Sequence, residues 1–169
     1  MEEITDEYDV QKRLSTIPEK YKTKAEELLK SGRKLKALGF WKGTNTGTEL
    51  PHPEIFQDVN WDVDDKMMVI AYLKRSSPVV PYMGLSHCRF NCGEGSMGAC
   101  DMSDGTYCWP EGLPHYLERH AVRLPEEFVK HVYENRNTPV TPAFDTDIQS
   151  LWFLAPDFNW WKSQKGIAI

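Results

Sequence analysis

Four metal-binding side chains in the middle of the chain limit how it can fold. Cys88 and Cys92 precede a turn-rich stretch, and His115 and His120 follow it, in the pattern Cys-x3-Cys-x22-His-x4-His. Thiolate sulfur and imidazole nitrogen suit tetrahedral zinc, and two short ligand pairs each need only local backbone geometry. The sequence therefore predicts a zinc site if folding brings the two pairs together. The x22 spacing exceeds that of a compact zinc finger.

A turn between the two ligand pairs predicts a β-hairpin. Asp104 and Gly105 form a dipeptide favoured at the centre of a two-residue hairpin turn. A turn centred on them places Asp101 opposite Cys108. Because successive side chains of a strand point to opposite faces, Cys100 and Cys108 then lie on opposite faces of the hairpin. These two thiols do not readily complete one four-cysteine site, so the two histidines are the preferred second pair, with either thiol as an alternative ligand.

The two histidines are predicted to lie on a short helix that begins at Pro114, because proline suits the first helical position. His115 and His120 are then about one and a half turns apart, which a tightened last turn would accommodate. His87 and His131 are further candidate ligands, but His87 directly precedes the first cysteine and His131 falls in the next predicted helix. The preferred ligands therefore remain the four residues named first.

The composition is that of one soluble globular domain. The chain has 169 residues, of which 40% are hydrophobic and 27% charged, and a formal net charge of -5. No repeat or linker divides it, so we expect a single domain over residues 1–169, with residues 86–121 as its zinc-binding subregion. No apolar stretch reaches the length of a membrane span, and the acidic start does not resemble a secretory signal. We therefore expect a cytoplasmic protein whose cysteines are thiols or metal ligands.

Apolar spacing predicts the elements of an α+β fold. An amphipathic helix is predicted over Pro18–Leu38, ended by Gly39, because its apolar residues recur at three- and four-residue steps. Another helix is predicted over Pro125–Tyr133, with acidic residues in its first turn. The apolar run Met67–Leu73 is interpreted as a buried strand, although a short helix fits the same spacing. Together with the Cys100–Trp109 hairpin, these elements predict a single α+β domain with a small antiparallel sheet.

The C-terminal part of the chain is rich in aromatic residues. Five of them lie between Leu151 and Trp161, namely Trp152, Phe153, Phe158, Trp160 and Trp161. Such a group could form a recognition surface, because tryptophan is favoured at the centre of interfaces. In a domain of this size aromatic residues more often fill the core, and we favour that interpretation.

The segment Ser86–Val132 resembles small uncharacterised bacterial proteins. The likeness lies in its Cys-x3-Cys-Gly, Asp-Gly and Trp-Pro-Glu-Gly-Leu-Pro-His-Tyr elements, which include Cys88, Cys92 and His115. Those relatives carry Cys-x2-Cys where this chain has Cys-x3-Cys. The resemblance covers less than a third of the chain and implies a bacterial or phage origin without a named activity.

Three functional hypotheses arise from these residues. The leading one is a noncatalytic protein-interaction module of the immunity or inhibitor type, with a protein partner and a closed structural zinc site. The second is a metal-dependent hydrolase with three protein ligands, a metal-bound water and Glu111 or Glu118 as general base. The third is a nucleic-acid-binding protein that uses residues 10–38, which carry nine Lys or Arg against three Glu. The negative net charge opposes the third hypothesis.

Overall fold

The computed structural model describes residues 7–32, 34–43, 49–81, 86–94, 97–140, 154 and 156–167. The helices among these residues are α1 (Glu7–Thr16), α2 (Glu19–Ser31), α3 (Val63–Lys74), α4 (Leu113–His120), α5 (Glu126–Asn135) and α6 (Asn159–Lys162), with a 3-10 helix at Pro53–Phe56. The strands are β1 (Leu35–Ala37), β2 (Ser77–Pro81), β3 (Cys100–Ser103), β4 (Tyr107–Pro110) and β5 (Pro156–Asp157). None of the described helices combines the length and the apolar character needed to cross a membrane.

The described strands form one mixed sheet in the order β2-β3-β4-β1-β5. β2, β3 and β4 pair antiparallel, as the sequence predicted for the hairpin. β1 pairs parallel with both β4 and β5, so the sheet is larger than predicted and is not antiparallel throughout. The α+β class is confirmed.

The β3–β4 hairpin has a longer turn than predicted. Ser103 lies opposite Cys108, where the sequence predicted Asp101. The Asp104 carboxylate accepts hydrogen bonds from the backbone N–H groups two and three residues later, at 2.9 and 2.8 Å, and so stabilises a wider turn. Because the register shifts by two residues, every side chain keeps its predicted face.

Cys100 and Cys108 lie on opposite faces of the sheet, as predicted. Cys108 is fully buried and packs with Leu35 and Ala37 of β1. Met102, which shares a face with Cys100, packs instead against the main core on the other side. The alternation of side chains that excludes Cys100 and Cys108 as one ligand pair therefore holds in the folded chain.

The first predicted helix, Pro18–Leu38, is wrong at its C-terminal end. α2 ends at Gly32, which adopts a left-handed conformation with φ +62° and donates its backbone N–H to the carbonyl of Leu29. Glycine takes this conformation without a steric penalty and commonly terminates helices. The apolar residues beyond it belong to strand β1, where Leu35 and Ala37 are buried.

The predicted strand over Met67–Leu73 is also wrong, and the helical alternative is correct. These residues belong to α3, whose N-terminus is capped by the side chain of Asp62 accepting the backbone N–H of Asp65. Buried residues come in two adjacent pairs, which is the spacing of one helical face. They are Val69, Ile70, Tyr72 and Leu73. A capping aspartate, Asp62, five residues before the apolar run was the sequence signal for this helix.

Part of the aromatic C-terminal region fills the core. Trp161 is fully buried, stacks on Phe56 at 5.1 Å and meets Trp41 edge-on at 5.3 Å. Its indole N–H donates to the carbonyl of Phe40 at 2.7 Å. Trp152 and Phe153 lie outside the described residues. The helix predicted over residues 125–133 is confirmed as α5, with two acidic residues in its first turn.

We predict that Trp161→Ala lowers the free energy of unfolding by about 3 to 5 kcal/mol, because it empties a fully buried aromatic site. Its neighbour Trp160 is only half-buried, so Trp160→Ala is the matched control and costs less. Chemical denaturation of both variants measures the difference. Equal losses would show that Trp161 does not have a special place in the core.

A buried carboxylate organises the end of the hairpin. Asp104 Oδ2 accepts the hydroxyl of Tyr72 at 2.6 Å and lies 2.7 Å from His131 Nε2. Burial opposes its charge, but these contacts and the two backbone N–H groups hold the pKa of Asp104 below its usual range. The carboxylate therefore ties the hairpin turn to α3 and α5.

We predict that Asp104→Asn destabilises the protein by about 2 kcal/mol at neutral pH, because charge-assisted hydrogen bonds are lost. The folded-state pKa of Asp104 is depressed, so its contribution is present above the unfolded pKa of about 3.9 and is lost as the pH falls through the folded pKa. The difference from the wild type should shrink below about pH 4 in denaturation curves. Asp64→Asn, at an exposed carboxylate, is the control and should change stability little. A difference that is constant with pH would contradict this role.

Candidate metal centre

The four predicted ligands lie together in the structure. Their two sulfur atoms and one nitrogen of each imidazole are all within 4.8 Å of one another. Cys88 Sγ lies 3.3 Å from His120 Nε2. Cys92 Sγ lies 3.3 Å from His115 Nε2, and the two Nε2 atoms are 3.2 Å apart. The fold therefore brings both ligand pairs to one point.

These separations match the donor spacing around a small tetrahedral ion. Bond lengths of about 2.3 Å to sulfur and about 2.0 Å to nitrogen place tetrahedral donors about 3.3 to 3.8 Å apart. The measured distances of 3.2 and 3.3 Å lie at or just below the lower end of that range. Three of the six donor–donor distances are therefore close to those around such an ion, and the remaining pairs of donor atoms lie within 4.8 Å.

Hydrogen bonding alone accounts for these contacts less well than an ion does. His120 Nε2 faces both Cys88 Sγ and His115 Nε2. A ring nitrogen carries either one hydrogen or one lone pair, directed along a single axis in the ring plane, and cannot serve two neighbours with good geometry. A central ion accepts one lone pair from every donor. The four residues therefore form a group with the chemistry of a metal site.

The first ligand pair is positioned by a turn over residues 88–91. The backbone N–H of Asn91 donates to the carbonyl of Cys88 at 3.1 Å, and Asn91 adopts φ +52°. Asparagine tolerates this left-handed conformation better than most residues. The backbone N–H of Phe90 points at Cys88 Sγ at 3.4 Å, a contact that would stabilise a thiolate. This turn accommodates three residues between the two cysteines, which is one more than in a Cys-x2-Cys pair.

The second ligand pair lies on α4, which ends differently from the prediction. His115 and His120 are five positions apart, which corresponds to about 140° around an ideal α-helix. The last turn does not tighten. The backbone N–H groups of Ala121 and Val122 both donate to the carbonyl of Tyr116, so the chain leaves α4 through a wider turn, with Ala121 at φ +52°. Widening lowers the rotation per residue and brings the two imidazoles toward the same side.

Aromatic contacts that the sequence did not single out hold the two halves of the site together. The ring of Phe90, from the cysteine turn, stacks on His120 with centroids 4.4 Å apart. The hydroxyl of Tyr116 accepts the backbone N–H of Arg89 at 3.0 Å. The sequence signal for these roles was that one aromatic residue lies between the two members of each ligand pair. Phe90 lies between the cysteines, and Tyr116 lies between the histidines.

The electrostatics of the site set the protonation of its donors. Burial and the neighbouring His115 lower the pKa of His120, which favours the neutral imidazole that binds metal ions. Burial raises the pKa of the Cys88 thiol. An ion that binds there therefore displaces a proton from this sulfur.

The alternative ligands lie elsewhere. Cys108 is buried against β1, and Cys100 is on the opposite face of the hairpin. His131 contacts Asp104 at the hairpin turn. The backbone carbonyl of His87 accepts a hydrogen bond from the Arg89 guanidinium at 2.9 Å. Among the residues that the structure describes, the four preferred ligands are the group assembled for an ion.

A cleft of about 470 Å³ opens beside the site, which is a size typical of small-molecule pockets. Arg89 and Tyr116 line it, but none of the four donor residues is among its described lining residues. Glu111 lies in this cleft and accepts the backbone N–H groups of Ala99 and Cys100 at 2.8 and 3.2 Å. The donor group and the cleft are therefore adjacent, but the side chains that would bind a metal ion do not line the cleft.

We predict that Cys92→Ser and His120→Ala each lower the affinity for metal by at least about a hundredfold. Substitution of a residue that only hydrogen-bonds to a metal ligand already lowers the affinity by about ten- to a hundredfold, and loss of a ligand should lower it at least as much. Each substitution removes one of the four grouped donors. Elemental analysis of protein purified without chelators measures the bound metal. Cys100→Ser, which removes a thiol outside the group, is the matched control and should leave the metal content unchanged. Unchanged metal content in both ligand variants would reject the quartet.

Comparison of the chain with protein-family models, with curated proteins and with solved structures returned no match. The group of four donor residues is therefore the main structural evidence for the function of this chain.

Proposed function

We propose that this chain is a noncatalytic protein-interaction module, of the immunity or inhibitor type, in which a structural zinc ion holds residues 86–121. The observation that carries the proposal is the convergence of four protein donor atoms within 4.8 Å. Structural zinc sites use four protein ligands, whereas catalytic sites use three and keep a position for water.

Zinc is the ion that this donor set fits best. Two thiolates and two imidazoles form one of the common structural zinc sets, and the oxygen-rich sites of calcium and magnesium have a different composition. A reducing compartment such as the cytoplasm keeps Cys88 and Cys92 available as thiolates. The short sulfur–nitrogen contacts are compatible with tetrahedral zinc.

A structural ion would contribute on the order of 10 kcal/mol, which is comparable with the whole stability of a typical domain. It would join the cysteine turn to α4, which are separated by the long β3–β4 hairpin segment. The ion would thus fix the cysteine turn to α4, whose buried residues already belong to the main core.

The two glutamates named as general base for the hydrolase alternative are engaged in other contacts. Glu118 forms an ion pair with Lys74. Glu111 accepts two backbone N–H groups in the neighbouring cleft. Since the cleft is not lined by the four donors, a substrate bound there would not meet the ion directly. These contacts favour a structural role for the metal.

We predict that cobalt(II) substituted at the site gives the absorption of a tetrahedral ion with two sulfur ligands, and that X-ray absorption of the zinc protein finds two sulfur and two nitrogen neighbours. Both results follow from four protein ligands and no bound water. Cys100→Ser should give the same spectra, because Cys100 lies outside the group.

Assays with ester, peptide and phosphodiester substrates should give the same background before and after zinc removal, and isolation in a stable complex with another protein would support the proposal. Three protein ligands with a water, together with zinc-dependent turnover by a monomeric chain, would contradict it and favour the hydrolase.

A further inference from the structure

The outward side of α3 and the loop before it carry an exposed apolar stripe. Val59, Val63 and Met67 are 85%, 69% and 58% exposed. Val63 and Met67 are four residues apart on α3, and Ala71 continues the same line in the next turn, whereas Val59 lies in the turn before the helix. We call these four residues the α3 stripe.

The α3 stripe is unusual because the opposite side of the helix is also apolar. Val69, Tyr72 and Leu73 are buried against the core. Single exposed apolar side chains are ordinary, but a helix that is apolar on both sides is normally covered on both sides. A line of large apolar side chains on such a helix is the arrangement that a partner covers.

Carboxylates surround the start of the stripe. Residues 49–66 carry six acidic residues against the single Lys66. Asp64 and Asp65 lie beside Val63 in the first turn of α3 and are exposed. Within the described part of the chain neither forms an ion pair, whereas Asp58 is paired with Arg123 at 3.0 Å. A binding partner therefore gains from positive charge at this end of the stripe.

We infer that the α3 stripe is the docking surface for a partner protein segment that presents apolar anchor side chains flanked by Lys or Arg. The inference rests on the proposed function, since it names the surface and the chemistry of the partner of an interaction module. The apolar stripe supplies the buried contact, and the free carboxylates select a basic segment over an acidic one.

The metal centre supports this surface through hydrogen bonds to the loop before α3. The Gln57 side-chain amide donates to the carbonyl of His120 at 2.8 Å. The backbone N–H of Asp58 donates to the carbonyl of Ala121, also at 2.8 Å. The residues that precede Val59 are thus held by the residue that ends the metal-binding helix and by the one after it. Loss of metal should therefore weaken docking.

The test uses the full-length zinc protein and a labelled 18-residue helical peptide of leucine and lysine, with the lysines flanking a leucine face. Fluorescence anisotropy measures its affinity. The leucine–glutamate and serine–lysine peptides of the same pattern are the peptide controls. We expect the leucine–lysine peptide to bind at least about tenfold more tightly than either, because both apolar contact and charge are needed.

The protein variant for the test is Val63→Gln/Met67→Gln, which removes the apolar stripe with residues that favour helix at least as well as valine does. It should lose at least about tenfold in affinity for the leucine–lysine peptide. Leu29→Gln/Tyr133→Gln, at two exposed apolar residues on other helices, is the matched control and should bind as the wild type does. Circular dichroism confirms that both variants are folded.

Three outcomes would overturn the inference. Equal binding of the lysine and glutamate peptides would remove the charge selection, and unchanged binding by the stripe variant would place docking elsewhere. Self-association of the wild type that the stripe variant abolishes would identify a second copy of the chain as the occupant. If the peptide does not bind while the zinc ion keeps four protein ligands, the inference about the docking surface is wrong and the proposed function stands. If the protein shows zinc-dependent turnover, the proposed function is wrong, whether or not the peptide binds.

Discussion

Two sulfur atoms and two ring nitrogens that converge within 4.8 Å bring the cysteine turn and α4 to one point. The cysteine turn is too short to form a stable structure by itself, and α4 is only two turns long. Around a common ion they would become one unit. Because the carbonyl of His120 also binds Gln57, that unit extends to the loop that leads into α3. The metal group, α4 and the entry to α3 thus form one continuous arrangement.

The fold could be predicted where the signal was local. The turn at Asp104–Gly105, the helix α5 after Pro125 and the opposite faces of Cys100 and Cys108 all depend on residues close in sequence. The boundary between α2 and β1 could not, because a segment as short as Leu35–Leu38 fits the period of either a helix or a strand. Strand β1 is defined by its pairing with β4, which lies far along the chain. The hairpin register depended on a side-chain hydrogen bond of Asp104 that no pattern of hydrophobicity contains.

The four donor residues could also be predicted from local signals. These were the spacing within each ligand pair and the alternation of side chains along the strands of the hairpin. The residues that support them could not be predicted in this way, because Phe90 and Gln57 contact His120 only after the chain has folded. The interpretation of Met67–Leu73 as a buried strand also concealed the α3 stripe. A fully buried strand has no outward side, whereas the helix that is present leaves Met67 exposed. An error in one element therefore hid a feature of the surface.

The strand order has a consequence for the rate at which the protein folds. β1 lies between β4 and β5 and pairs parallel with both, so the middle of the sheet joins segments that are distant along the chain. Pairings of this kind form slowly, because long loops must close before any contact is gained. The ligand pairs are much closer together in sequence, and a metal ion can gather them before the sheet is complete. The ion would then act early, as a nucleus, and the supply of metal during synthesis would influence how quickly the chain escapes its aggregation-prone states.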